Sequence, residues 1–149
     1  MAIRDLLNQT TRSVVTAPAD LSVEEAIILM DKEKVGALIV VEGDRPVGIF
    51  STRDCLRLCL DEMPVVFGGI TLEAAMNNKM IFVSPDTERE TAMDMMFRAD
   101  IGHLPVVEDG RLNGVIIARD LMMDHIRILE DELRHLRNYI DDLHEAGRD

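Results

Sequence analysis

DLSVEEAIILMDKEKVGALIVVEGDRPVGIFSTRD, residues Asp20 to Asp54, is written again 66 residues later as DTERETAMDMMFRADIGHLPVVEDGRLNGVIIARD, residues Asp86 to Asp120. The two stretches align without a gap, and 13 of 35 pairs are identical. The matches include Glu24 with Glu90, Ala26 with Ala92, Gly36 with Gly102, Val40-Val41-Glu42 with Val106-Val107-Glu108, Gly48 with Gly114, and Arg53-Asp54 with Arg119-Asp120. A period this long, present only twice, marks one duplicated module and not a solenoid array. Two copies can pack about a pseudo-two-fold axis and leave equivalent clefts between them, and those clefts are where function is sought.

Each copy reads helix, strand, strand, helix. In the first, Ser22-Val-Glu-Glu25 has the form of a capping box, in which a Ser hydroxyl and a Glu three residues on satisfy orphan amides reciprocally. Val23, Ala26, Ile27 and Met30 follow at helical spacing, and the helix is expected to stop near Gly36. Ala37 to Glu42 reads as a buried strand, Gly43 to Pro46 as the turn and Val47 to Phe50 as the returning strand. Ser51 or Thr52 then caps a helix carrying Leu56, Cys59, Leu60 and Met63 at helical spacing.

The second copy repeats this, with Thr87-Glu-Arg-Glu90 as its capping box and Ala92, Met93, Met96 and Ala99 on one helix face. Leu104 to Glu108 is a strand, Asp109-Gly110 the turn and Val115 to Ile117 the return. The methionines Met93, Met95 and Met96 suit core filling or a soft partner surface. Pro64, Gly68 and Gly69 mark a linker, followed over Ile70 to Met80 by a short helical lead-in like that of Ile3 to Asn8. Past Asp120 the pattern changes: Ile126, Leu129, Leu133, Leu136, Ile140 and Leu143 step 3, 4, 3, 4, 3 with charges between them, a short heptad seam.

Composition narrows the function classes. A chain of 149 residues suits one compact domain, and each half alone would bury too little surface to be comfortably stable. Only 3% of residues are aromatic and there is no Trp, which argues against stacking platforms for single-stranded nucleic acid. A net charge of −12 repels a phosphate backbone, and no basic run offsets it. No apolar stretch is long enough to span a membrane and no secretory signal opens the chain, so a cytoplasmic protein is expected, without nucleic-acid or membrane partners. Cys55 and Cys59, four apart on a helix, are expected to be reduced thiols, and no further ligands suggest a metal site.

The stretch Gly48-Ile-Phe-Ser-Thr-Arg-Asp54 is the place for chemistry. Free amides at a helix start favour a phosphate or a hydroxyl-rich group. A carboxylate one turn on can accept both hydroxyls of a vicinal diol such as ribose. Ser-x-x-Asp is equally an ordinary capping pattern, and spacing alone leaves both readings standing. No catalytic set emerges: there is no Gly-x-Ser-x-Gly elbow, His-Glu-x-x-His, Walker loop or dinucleotide fingerprint, so an enzyme is not expected.

The duplication, the element order, Gly102-His-Leu-Pro-Val-Val107 and Gly48-Ile-Phe-Ser-Thr-Arg-Asp54 together resemble a tandem pair of CBS domains, the regulatory module named after cystathionine β-synthase. The resemblance covers about residues 1 to 123. It implies an α+β fold of two repeats packed about a pseudo-two-fold axis, with residues 1–66 as the first repeat and its lead-in and 67–123 as the second repeat with its linker. The C-terminal helix, 124–149, lies outside it as a possible coiled coil. It also implies two clefts that hold adenine nucleotides or S-adenosylmethionine. One would use Ser51, Thr52, Arg53 and Asp54 with Val83, Ser84, Gly102, His103 and Pro105 of the other repeat. His103 either reaches a phosphate or edges the core.

The second cleft would use Thr16, Ala17, Gly36, Ala37, Ile117 and Asp120. There Ile117 and Ala118 replace Ser51 and Thr52, and Ile39 stands where the second repeat has Pro105, so the first cleft carries the expectation of a ligand. The function implied is a stand-alone regulatory module that binds an adenosine-containing ligand (AMP, ADP, ATP or S-adenosylmethionine type) and signals occupancy to a protein partner. The alternative is a structural homodimerisation module with empty clefts. A homodimer is expected in either case.

Overall fold

The computed structural model describes residues 2–9, 14–61 and 66–147; Met63 and Pro64 of the sequence reading lie outside them. Helix α1 (Ile3–Gln9) leads into strand β1 (Thr16–Pro18), α2 (Val23–Glu33), the hairpin β2 (Ala37–Glu42) and β3 (Arg45–Ser51), and α3 (Thr52–Asp61). A 3-10 turn (Phe67–Gly69) and α4 (Leu72–Ala75) open the second half. It continues as α5 (Arg89–Ala99), β4 (His103–Glu108), β5 (Arg111–Ile117) and α6 (Ala118–Ala146). Two repeats with the expected helix-strand-strand-helix order are thus present. The expected C-terminal helix is present as the outer part of α6, which runs unbroken for 29 residues from the second repeat outward.

The duplication is visible in local detail. Both hairpins slip register at the same place, between Val40 and Val41 and between Val106 and Val107. Strand β1 pairs in parallel with β2, and its counterpart is reduced to one parallel bridge from Val83 to Val106. Both α2 and α5 end on a left-handed residue that is not glycine, Lys34 at φ 55° and Asp100 at φ 51°. The turns differ. Asp109 and Gly110 both have positive φ, as a type I′ turn requires, whereas in the first hairpin Gly43 takes the positive φ at the first central position.

The capping box at Ser22 forms as read: its hydroxyl accepts from the Glu25 amide at 3.1 Å, and the Ser22 amide donates to Glu25 at 3.4 Å. The one expected at Thr87 does not. Glu88 is the N-cap of α5 and makes no side-chain capping bond, because the Thr87 hydroxyl accepts instead from the Ser84 amide at 3.2 Å.

Packing exchanges the lead-in segments. Ile3 and Leu6 of α1 are buried with Val83, Ala92, Met96, Leu104 and Leu121, in the core of the second repeat. Leu72 of α4, with Ile70 and Phe67 against it, belongs to the core around Val23, Ala26, Leu38 and Phe50, that of the first. Backbone bonds hold both exchanges: Ile3 and Arg4 donate to Thr87 and Pro85, as Leu72 and Glu73 donate to Leu21 and Ala19. Arg4 adds bonds to Asp86 at 3.3 Å and Glu108 at 3.1 Å, which raise its pKa. Each lead-in crosses the opposite hairpin where a glycine gives it room. A Cβ on Gly48 would stand 2.5 Å from Met76 Sδ, and one on Gly114 would stand 2.8 Å from Leu7 Cδ2. Neither half has a complete core without the other's lead-in.

The methionines Met93, Met95 and Met96 fill the second core. The face of α3 expected to be apolar is instead exposed, Leu56 at 67% and Leu60 at 82%. Both cysteines are free thiols, Cys55 half-buried and Cys59 exposed. Burial, then the charge of Asp54, pushes the Cys55 thiol pKa up.

Candidate functional site

Where β3 runs into α3, the first helical amide is already used: Thr52 donates to the Gly36 carbonyl at 3.0 Å, and Ala118 to Gly102 at 2.9 Å in the second repeat. Asp54 is buried beneath this turn. Its Oδ2 accepts from the Ser51 amide at 2.9 Å and from the Ser51 hydroxyl at 3.2 Å, while Oδ1 faces Arg57 Nη1 at 3.7 Å. The capping reading of Ser-x-x-Asp is therefore realised, and one carboxylate oxygen is spent on its own helix. Arg53 reaches across to the second repeat, where its Nη1 donates to the Asp100 carbonyl at 2.8 Å and lies 3.5 Å from the Asp100 carboxylate.

Of Val83, Ser84, Gly102 and Pro105, Val83 and Pro105 are joined directly through their backbones. Val83 donates to the Pro105 carbonyl at 3.0 Å and accepts from Val107 at 2.8 Å, which fixes this strand edge beside β4. Arg53 ties the Ser51–Asp54 turn to this repeat. His103 departs from the expected grouping. Its ring lies in the other cleft, with Cε1 3.6 Å from where a Cβ on Gly36 would stand.

That other cleft has a volume of about 600 Å³. Of the residues expected in it, Gly36, Ala37 and Ile117 line it. Thr16 and Ala17 sit on β1 just past the lining residues Val14 and Val15, and Ala17 is buried in the core. Asp120 follows the lining residue Arg119 in the first turn of α6. Ile39 and Val115 extend the apolar wall, and Glu33, Lys34, Arg119 and His103 supply the polar atoms. Burial lowers the His103 imidazole below its ordinary pKa, which favours the neutral ring.

The electrostatics of the clefts follow from one aligned pair. Lys34 occupies the position that Asp100 holds in the other repeat, and Arg119 matches Arg53. Arg53 therefore meets a carboxylate, whereas Arg119 shares its cleft with a second cation. An apolar wall beside two cations suits a ligand with a flat apolar part and an anionic group.

The family model described as CBS domain matches residues 3–61 and 71–124. The chain belongs to the CBS-domain family. A mitochondrial CBS domain-containing protein of Arabidopsis thaliana is 32% identical over 128 residues, 81% of this chain and 61% of that protein. A 17.7 kDa protein of Acidianus ambivalens is 31% identical over 117 residues, 75% of this chain and 66% of its own length. The chain thus spans less than two thirds of these two relatives. A CBS-domain protein of Pyrobaculum aerophilum, solved in complex with AMP, superposes with a TM-score of 0.76 at 26% identity, covering 87% of this chain and 97% of that one.

Within this CBS pair, Lys34 escaped the sequence reading because a lysine closing a helix looks like surface. The signal was present in the alignment of the repeats, where Lys34 faces Asp100. Among the described residues no helix is long and apolar enough to cross a membrane.

Proposed function

We propose that this CBS pair is a regulatory module that binds a phosphate-bearing adenosine ligand and passes its occupancy to a protein partner. The observation that carries this reading is the cleft holding both Lys34 and Arg119 beside Val14, Val15 and Ile117. The adenine would lie against the apolar wall, the phosphate would meet the two cations, and Asp120 is the candidate acceptor for the ribose hydroxyls. The Pyrobaculum relative was solved with AMP, a ligand of this kind. S-adenosylmethionine carries a sulfonium and an ammonium against a single carboxylate, a net positive charge with no phosphate, and suits this pair of cations poorly.

The set Ser51, Thr52, Arg53 and Asp54 with Val83, Ser84, Gly102 and Pro105 takes second place, since Arg53 there meets the Asp100 carboxylate where the other cleft places Lys34. A ligand can signal only if it binds two arrangements of the module unequally. Arg119 and Asp120 open α6, which makes that helix the candidate output.

A thermal-shift panel of AMP, ADP, ATP, NAD and S-adenosylmethionine tests the reading. A ligand at 100 times its Kd adds about 2.7 kcal/mol, which raises the midpoint by several degrees. The expected result is a shift with the phosphate-bearing compounds and none with S-adenosylmethionine. No shift with any of them would favour the second reading, a homodimerisation module with empty clefts, whose specific support is the exposed seam of α6.

A further inference from the structure

Beyond the two repeats, α6 stands free of the body. From Glu132 to Ala146 every residue is exposed, a projection of about 22 Å at 1.5 Å per residue. A helical segment of this length is marginal in water unless an amphipathic face is covered. The face exists: Ile126, Leu129, Leu133, Leu136, Ile140 and Leu143 lie 43% to 55% exposed along one seam. Met122, one step nearer the body, continues it at 55%.

We infer that a second copy of this chain covers the seam, with the two α6 helices in a parallel, in-register coiled coil. The seam chemistry selects this geometry. Ile126, Leu133 and Ile140 fall at a and Leu129, Leu136 and Leu143 at d, so in parallel register a packs on a and d on d, with β-branched isoleucine at two of the three a positions and leucine at every d, the pattern that favours two strands among parallel coils. The flanks agree. In parallel register Glu132 at g meets Arg137 at e of the second copy, and His125 meets Glu130, each twice by symmetry.

Antiparallel pairing fits less well. The register that would cover Met122 sets Glu130 against Glu130 and Glu132 against Glu132 of the second copy. The register that brings Glu130 to Arg137 ends its overlap at Ile126 and leaves Met122 bare. This inference is independent of ligand binding.

Cross-linking of the full chain in a Cys55→Ser, Cys59→Ser background tests both the pairing and its direction. Leu129→Cys and Ile140→Cys should each form a disulfide-linked dimer alone in a glutathione redox buffer, and a mixture should give no mixed species. Cross-linking only in the mixture would overturn the parallel arrangement. In light scattering the unmodified chain should be a dimer, and Leu136→Asp should weaken self-association about a hundred-fold or more while circular dichroism shows the repeats still folded. A monomer at tens of micromolar, or a Leu136→Asp dimer of unchanged affinity, would overturn the inference.

Discussion

Val23 of α2 is fully buried in the first repeat, and Leu58 of α3 packs against the same core. At the aligned positions the second repeat holds Arg89 and Asp124, an ion pair buried between α5 and α6 with the two residues 1% and 6% exposed. Arg127 adds a bond to the outer oxygen of Asp124 at 2.6 Å, a contact that raises the Arg127 pKa. The Arg89 guanidinium nitrogens find no hydrogen bond of good geometry. One backbone frame therefore accepts an apolar contact or an ionic one. The clefts differ in the same manner, through Lys34 in one repeat and Asp100 in the other. Duplication preserves the frame, and a few exchanged side chains reassign what each half does.

The largest expected effect breaks the buried pair. Arg89→Val alone removes the buried partner of Asp124 Oδ2, leaving Arg127 on the outer oxygen only, and should cost about 3–5 kcal/mol in chemical denaturation. The double variant Arg89→Val, Asp124→Leu copies the first repeat and should regain the loss, ending neutral or more stable by about 1–4 kcal/mol. A double variant less stable than the single one would mean that the two repeats are not interchangeable here.

Next in size is an exchange of cleft charge. Lys34→Asp gives Arg119 the partner that Arg53 has, and calorimetric titration with AMP should show affinity falling about ten- to a hundred-fold. Asp100→Lys should release Arg53 and add a second, weaker site. Unchanged affinity in the first variant would remove Lys34 from the ligand site.

Asp54 and Asp120 sharpen the contrast further. Asp54→Ala loses the bonds to Ser51 and should cost about 1 kcal/mol of stability, with AMP affinity little changed. Asp120→Ala should show its effect in the titration. The reverse outcome would return the ligand to the first cleft.

The smallest effect is a pH dependence. His103 has its folded pKa below the unfolded value of 6.5, so the unfolded chain binds more protons through this window. Stability should be undiminished above about pH 6.5 and fall on acidification toward the folded pKa. His103→Gln should flatten that part of the profile. Because Lys34 and Arg119 share the cleft and Glu33 is the acidic group lining it, bound AMP should oppose the loss by favouring the protonated ring.

Much of the fold was legible because it rests on local patterns. The capping box at Ser22, the paired strands around Gly43 and Asp109-Gly110, and the helical spacing of Ala92 and Met96 each need only neighbouring residues. Strand ends moved by one to four residues, since ladder bonds extend past the apolar run to Arg45 and Arg111. Leu56 and Leu60 show the limit of periodicity, which finds an apolar face without saying what covers it. His103 shows the limit for sites: its place in the chain suggested one cleft, and the direction of its ring put it in the other.

The sequence by itself determined the duplication, the order of elements, the heptad seam and the family, because each is written in identities or spacings along the chain. Tertiary structure alone decided that each lead-in completes the opposite core and that the second cleft gathers Lys34, Arg119 and His103. Those outcomes join residues tens of positions apart. Contacts such as Ile3 to Thr87 leave no period in either segment, and they exist only once both cores close together.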